Sequence, residues 1–245
     1  MITPRFRALL PCCLVSLVLM LAFPADADID TSILRSATKG ASAPKSSAAT
    51  VGAAAAKQPA ATTEESPNDW YRRAVSLDRL GASAKDLASA AYWYRQAADK
   101  GHSDAQTNLA AMYAQGRGVD VSGVEAVRWY REAAEAGNVR AQYSLALMYH
   151  VGEGITQDYD GAIQWYESAA RQGDANAMNN MAFMYGMGEG VVQSDVEAYV
   201  WFALAASRGN ADAAGNRDLA ASEMTPEELR RARERYAQLE QQLGL

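Results

Sequence analysis

The chain repeats itself every 36 residues, and that period restricts what it can fold into. "YAQGRGV" (113–119), "YHVGEGI" (149–155) and "YGMGEGV" (185–191) are copies of one turn. Trp93-Tyr94, Trp129-Tyr130, Trp165-Tyr166 and Trp201-Phe202 keep the same step. So do the alanine pairs Ala97-Ala98, Ala133-Ala134, Ala169-Ala170 and Ala205-Ala206, and Gly101, Gly137, Gly173 and Gly209. A unit of this length cannot bury a core alone, so successive units must stack.

Each unit reads as two helices. Ala105, Leu109, Ala110 and Tyr113 set a helical period in the first, repeated as Ala141, Leu145, Ala146 and Tyr149, then Ala177, Met181, Ala182 and Tyr185. Ala126, Trp129, Tyr130, Ala133 and Ala134 set it in the second. Ser122 with Glu125 and Ser194 with Glu197 form capping boxes, and Asp158 serves as the N-cap in the middle copy. Gly137, Gly173 and Gly209 close the second helices. The paired alanines suit close helix approach, and the Trp and Tyr side chains supply large buried area.

The glycine turn invites comparison with a phosphate-binding loop. Such loops follow a β-strand, and no strand pattern precedes this one. No G-x-x-x-x-G-K-[ST] occurs. The glycines are expected to reverse the chain between helices, with Val119, Ile155 and Val191 plugging back into the core.

The order A-x-x-x-L-A-x-x-Y-x-x-G-x-G-V, a capping residue, then A-x-x-W-Y-x-x-A-A-x-x-G resembles the Sel1-like repeat, a relative of the tetratricopeptide repeat. The resemblance covers three full copies, about 103–208. It implies an all-α fold: a right-handed α-solenoid of stacked antiparallel helix pairs with 36-residue repeats. The expected units are a degenerate first pair at 67–102, full repeats at 103–138, 139–174 and 175–210, and capping helices at 211–245. In the first pair Arg73 stands at the Leu109 position, and Leu80 and Ala82 replace the turn glycines. After Gly209 the pattern resumes with Arg217 where leucine belongs. Thr225, Pro226 and Glu228 then open a last helix with an apolar stripe of Leu229, Ala232, Tyr236, Leu239 and Leu243. That stripe suits a cap within the chain; its 3-4-3-4 spacing also fits a dimer seam.

The N-terminus reads as a signal peptide over 1–27. Arg5 and Arg7 precede an apolar run from Ala8 to Phe23, and Ala25-Asp26-Ala27 is a cleavage pattern. Residues 28–66 are rich in Ala, Ser and Thr, with Pro44 and Pro59, and are expected to be a disordered linker. Ser36-Ala37-Thr38-Lys39 within them matches S-x-x-K by chance, with no second catalytic motif to support it. Both cysteines, Cys12 and Cys13, lie in the signal, so an exported mature chain would carry no disulfide. The whole chain has 23 basic and 29 acidic residues, a net charge of −6. That balance argues against nucleic acid or an anionic membrane as partner.

No catalytic set is visible. His102 and His150 sit on different repeats, no G-x-S-x-G occurs, and no cluster has metal-ligand spacing. Glu153 and Glu189 recur in the glycine turns, but Arg117 holds that place in the first copy, so they read as solvated turn charges. No cofactor is expected. Some cysteine-rich relatives in the family are linked to penicillin binding through a cysteine pair in each repeat; this chain has no such pair, so that activity does not carry over.

The resemblance implies a non-catalytic binding scaffold; the signal peptide makes it periplasmic or secreted, and a cap within the chain would leave it a monomer. It would bind a protein, such as an envelope complex or a sensor-kinase outer domain, through the inner face of the first helices. An alternative is a cell-wall protein acting on peptidoglycan. The expected binding stripe is Asp104, Thr107, Ala111 and Ala114, then Arg140, Tyr143, Leu147 and His150, then Asn176, Asn179, Phe183 and Gly186. These positions vary between copies while the packing positions do not. Tyr143, Leu147 and Phe183 would form an exposed apolar strip.

Overall fold

The computed structural model describes residues 65–244. The signal-peptide expectation and nearly all of the linker lie outside the described residues. Within them the chain is helical throughout, with no strand. The helices are α1 Pro67–Leu77, α2 Ala84–Ala98, α3 Ser103–Gln115, α4 Gly123–Glu135, α5 Val139–Val151, α6 Tyr159–Arg171, α7 Ala175–Met187, α8 Asp195–Ser207, α9 Ala211–Glu223 and α10 Pro226–Leu243. From α1 to α9 each helix packs on the one before it, so the helix pairs stack into an α-solenoid. The described structure includes the last two residues of the expected linker. Ser66 caps α1 in a full capping box with Asp69, and Glu65 accepts from the Trp70 indole N–H at 3.1 Å.

Helix boundaries follow from a two-residue junction. A glycine with left-handed φ ends each second helix, at +80° for Gly101, +87° for Gly137, +88° for Gly173 and +91° for Gly209. The next residue then caps the following first helix. His102, Asn138, Asp174 and Asn210 each accept a hydrogen bond from the backbone N–H three residues on. The same residue's N–H closes the previous helix, as Asn138 N does on Ala133 O at 3.0 Å. Asn138 also donates to Asp104 Oδ1 at 2.8 Å, and Asn210 to Asn176 Oδ1 at 3.0 Å, so these caps tie neighbouring units together. At the second helices, Ser122, Asp158 and Ser194 cap as expected. The reciprocal half of the box is not formed at Ser122 and Ser194. Glu197 instead accepts from Arg235 at 2.8 Å, and Glu125 lies 3.9 Å from Arg128.

Asp174 is the one carboxylate in the series of first-helix caps. Burial pushes its pKa above the ordinary value, against backbone hydrogen bonds from Ala177 and Asn176 that pull it down. An acid with a raised folded-state pKa costs stability when ionised, and that cost is lost as pH falls through the raised pKa. Asp174→Asn keeps the capping oxygen. It is expected to raise the melting temperature at neutral pH and to give no gain once the carboxyl is protonated. Thermal melts at the two pH values check this.

The turn glycines serve backbone approach. A Cβ on Gly118 would lie 2.3 Å from Leu87 C, one on Gly154 2.3 Å from Gly123 C, and one on Gly190 2.7 Å from Tyr159 Cβ. Leu87, Gly123 and Tyr159 occupy the same position one repeat apart, in the opening turns of α2, α4 and α6. Each turn therefore seats its second glycine on the preceding unit's second helix.

Two contiguous clusters form the core. One runs through α1–α5 around Trp93, Tyr94, Leu109, Trp129 and Leu145. The other joins α6, α7 and α8 to α10 around Tyr166, Met178, Met181, Trp201 and Phe202. Trp165 is only half-buried and touches both clusters, so it is less enclosed than Trp129, at 2% exposure.

The C-terminal end differs from a simple lid on the last first-helix. The α10 helix folds against α8. Its Ala232, Leu239 and Leu243 are buried there, and Arg171 donates to Gln242 O at 3.3 Å. That uses the stripe within the chain. Among the described residues no helix takes the second-helix place opposite α9. Arg217 and Asp218 replace the Leu109-type and Ala110-type core residues and pair with each other at 2.6 Å. A charged pair at two core positions blocks a further apolar unit from stacking.

Candidate functional site

Three inter-unit junctions share one four-position design. A buried tyrosine of a second helix (Tyr94, Tyr130, Tyr166) points its hydroxyl at the next first helix, where Asn108, Ser144 or Asn180 meets it. The third position, at the end of the preceding first helix, holds Asp78, Ala114 or His150. The fourth lies in the next glycine turn: Arg117, Glu153 or Glu189.

At the first junction Tyr94 donates to Asp78 Oδ2 at 3.3 Å and accepts from Asn108 Nδ2 at 3.0 Å, and Arg117 forms an ion pair with Asp78. At the third, Tyr166 accepts from Asn180 Nδ2 at 3.0 Å and meets His150 Nδ1 at 3.4 Å. The other ring nitrogen of His150 lies 2.9 Å from Glu189 Oε2. At the second, Ala114 supplies a methyl only. Burial there pushes the Tyr130 hydroxyl up to about 12; Ser144 and Arg140 pull it down, and Glu153 pushes it further up.

Glu189 is therefore a hydrogen-bond partner of His150 and Arg117 an ion-pair partner of Asp78, and neither is a solvated turn charge. The pairs are separated by 39 residues, one repeat plus three, and that offset was the sequence signal for them. His150 is 9% exposed, and Tyr166 is fully buried with its pKa held well above the ordinary value by burial. Neither is placed to exchange protons with a substrate. Among the described residues no group of His, Cys, Asp and Glu could hold a metal ion, and no helix is long and apolar enough to cross a membrane.

The expected binding stripe divides. Asp104 and Asn176 are exposed at the first turns of α3 and α7, and Arg140 is half-buried, donating to Asn108 Oδ1 at 2.5 Å. Ala111, Ala114 and Asn179 are half-buried. Thr107 and Leu147, each 1% exposed, and His150 and Gly186 are buried. The apolar strip is absent as an exposed feature. Leu147 is interior, Phe183 sets its ring edge-on to Phe202 at 5.0 Å, and Tyr143 tilts against Tyr166 at 5.9 Å. The reason is that a first helix is covered by its own second helix and by the preceding one, so its buried face is wider than one stripe. In α5, seven of 13 residues are buried. A Tyr143→Ser, Phe183→Ser double change thus strips core contacts as well as any surface.

The Sel1 repeat family model matches residues 76–102, 103–138, 139–174 and 175–210. Among solved structures, a Sel1 repeat protein from Oxalobacter formigenes is 33% identical with a TM-score of 0.58, over 62% of this chain and 62% of that one. A protective antigen present in uropathogenic Escherichia coli strains, displaying an SLR fold, is 36% identical with a TM-score of 0.58 over 60% of this chain. The match spans only 32% of that antigen's length. No curated protein matches the chain by sequence. Sel1 repeats generally mediate protein–protein interaction and are generally non-catalytic. Four consecutive matches, in register with helix pairs that stack through shared caps and glycine turns, mean that this chain belongs to the Sel1 repeat family.

Proposed function

We propose that the protein is an exported, monomeric, non-catalytic scaffold that binds a protein partner of the cell envelope across its first-helix face. One observation carries this reading. The packing positions stay constant from unit to unit, while the accessible first-turn positions change from Asp104 to Arg140 to Asn176. A fixed frame with a varied edge suits recognition. An envelope complex or the outer domain of a sensor kinase is the class of partner in view. Capture from envelope extract with the protein as bait tests it. Asp104→Lys with Asn176→Lys is expected to lose most of the captured partner while melting within a few degrees of wild type, since each residue contributes one exposed hydrogen bond. Equal capture by both proteins, or no specific partner, rejects the reading.

Export has its own check. Cleavage after Ala27 is expected, so that the exported protein begins at Asp28 on N-terminal sequencing. Met1 retained on protein in the membrane fraction would sink the export reading.

A further inference from the structure

We propose that the outer face of α8 is a helix-docking site whose resident occupant, α10, is exchanged for an arginine-bearing amphipathic helix of the protein's partner. The repeat supplies the comparison. On α4 two positions hold Arg128 and Glu132, with side chains 51% and 44% exposed. On α6 the same positions hold Gln164, which is exposed, and Ser168, which is half-buried. On α8 they become Val200 and Leu204, both 0% exposed. The helix packed on α8 is α10, and its Ala232, Leu239 and Leu243 join the same buried cluster as Val200 and Leu204. Arg235 lies among them and donates through Nε to Glu197 Oε1 at 2.8 Å. The seated helix thus shows what the face takes: small or branched apolar residues at i, i+7 and i+11, with an arginine at i+3.

Two features make α10 exchangeable. The first is its weak hold. Helices α3 to α8 each bury between four and seven of their 13 residues. The α10 helix buries three of 18, and α9, which ties it to the solenoid, buries one of 13. Segments with few buried contacts open locally at the least cost. The second is an unfilled contact. Glu197 Oε2 is buried and has no hydrogen-bond partner among the described residues. Arg235 reaches only Oε1 and turns its Nη1 to Gln242 Oε1 at 3.3 Å. An arginine that approaches end-on engages both carboxylate oxygens, and the buried unpaired oxygen makes that second bond worth the most. Opening of α10 also uncovers Val200 and Leu204, whose apolar surface favours a new helix over water.

Hydrogen exchange of the wild-type protein and a peptide titration test this. Amides of α10 are expected to exchange at least about a hundredfold faster than those of α8, through an opening that leaves α3 to α8 folded. A labelled peptide of residues 225–245 stands in for the partner helix. It is expected to bind the Arg235→Ala protein about tenfold tighter than wild type, because a loosened α10 leaves the face free for more of the time. The same peptide carrying Leu239→Asp and Leu243→Asp is expected to bind neither protein. Exchange of α10 only together with α8 would overturn the proposal, and that measurement needs no variant should Arg235→Ala misfold. It would also be overturned by no saturable binding, by equal binding of the two peptides, or by equal affinity for the two proteins. Dimers of the Arg235→Ala protein that exclude the peptide would overturn it too, and would give the face to α10 of a second copy. Capture through Asp104 and Asn176 uses the first helices and is unaffected by any of these results, so the two readings fail separately.

Discussion

Gly154→Ala is expected to lower the unfolding free energy by about 4 kcal/mol, one of the largest losses a single methyl can cause here. Two effects add. At φ +71° a Cβ is strained by about 1–2 kcal/mol wherever it sits. This Cβ would also lie 2.3 Å from Gly123 C and 2.4 Å from Gly123 Cα, so backbone must move to admit it. Gly137→Ala is the control. Its φ is +87°, yet a Cβ there meets nothing within 4 Å, so only the strain of about 1–2 kcal/mol applies. Because Gly154 seats α5's turn on α4, the loss falls on the interface between two units. Urea titration should therefore show a reduced slope as well as an earlier midpoint, as the two halves of the solenoid uncouple. Equal losses for the two variants would mean that the close approach costs nothing and that only φ matters.

Trp129→Ala is expected to cost about 3–5 kcal/mol, and Trp165→Ala about 2 kcal/mol. The two tryptophans occupy the same position in successive repeats, and sequence alone treats them alike. Trp129 is enclosed in the cluster spanning α1–α5, while Trp165 is half-buried where the two clusters meet. The Trp129 indole N–H has no hydrogen-bond partner among the described residues, so its contribution is packing together with the Arg128 guanidinium 4.2 Å over its ring. Trp129→Phe should then cost well under the alanine value. The same urea titration ranks the three. Equal losses for Trp129→Ala and Trp165→Ala would show that repeat position, and not enclosure, sets the energy.

The helix pairs were legible because identity recurs at a fixed period, and each recurring residue has a local physical role. Trp-Tyr and the alanine pairs mark a packed face, and Gly137 ends a helix by conformation alone. The caps at His102, Asn138, Asp174 and Asn210 are equally local but leave no repeated letter, because the four residue types differ while the position is constant. The site was less legible. Reading the stripe from Asp104 assumed a helix with one dry side, which places Leu147 and His150 outside. Cover from two neighbouring second helices puts both inside.

What the sequence by itself determined is the unit: two helices, their ends and the small residues at which they touch. These depend on interactions within a few residues, so periodicity and capping rules suffice to read them. What only the tertiary structure decided is how units share residues. Glu189 finds His150 across a repeat boundary, Glu153 finds Ala114 in the equivalent place, and α10 lies on α8 while Arg217 and Asp218 close the face of α9. Such pairings depend on the offset between stacked units, a distance in space that no single repeat encodes. The same glutamate in the same turn is thus a clamp at one junction and an unpaired charge at the next.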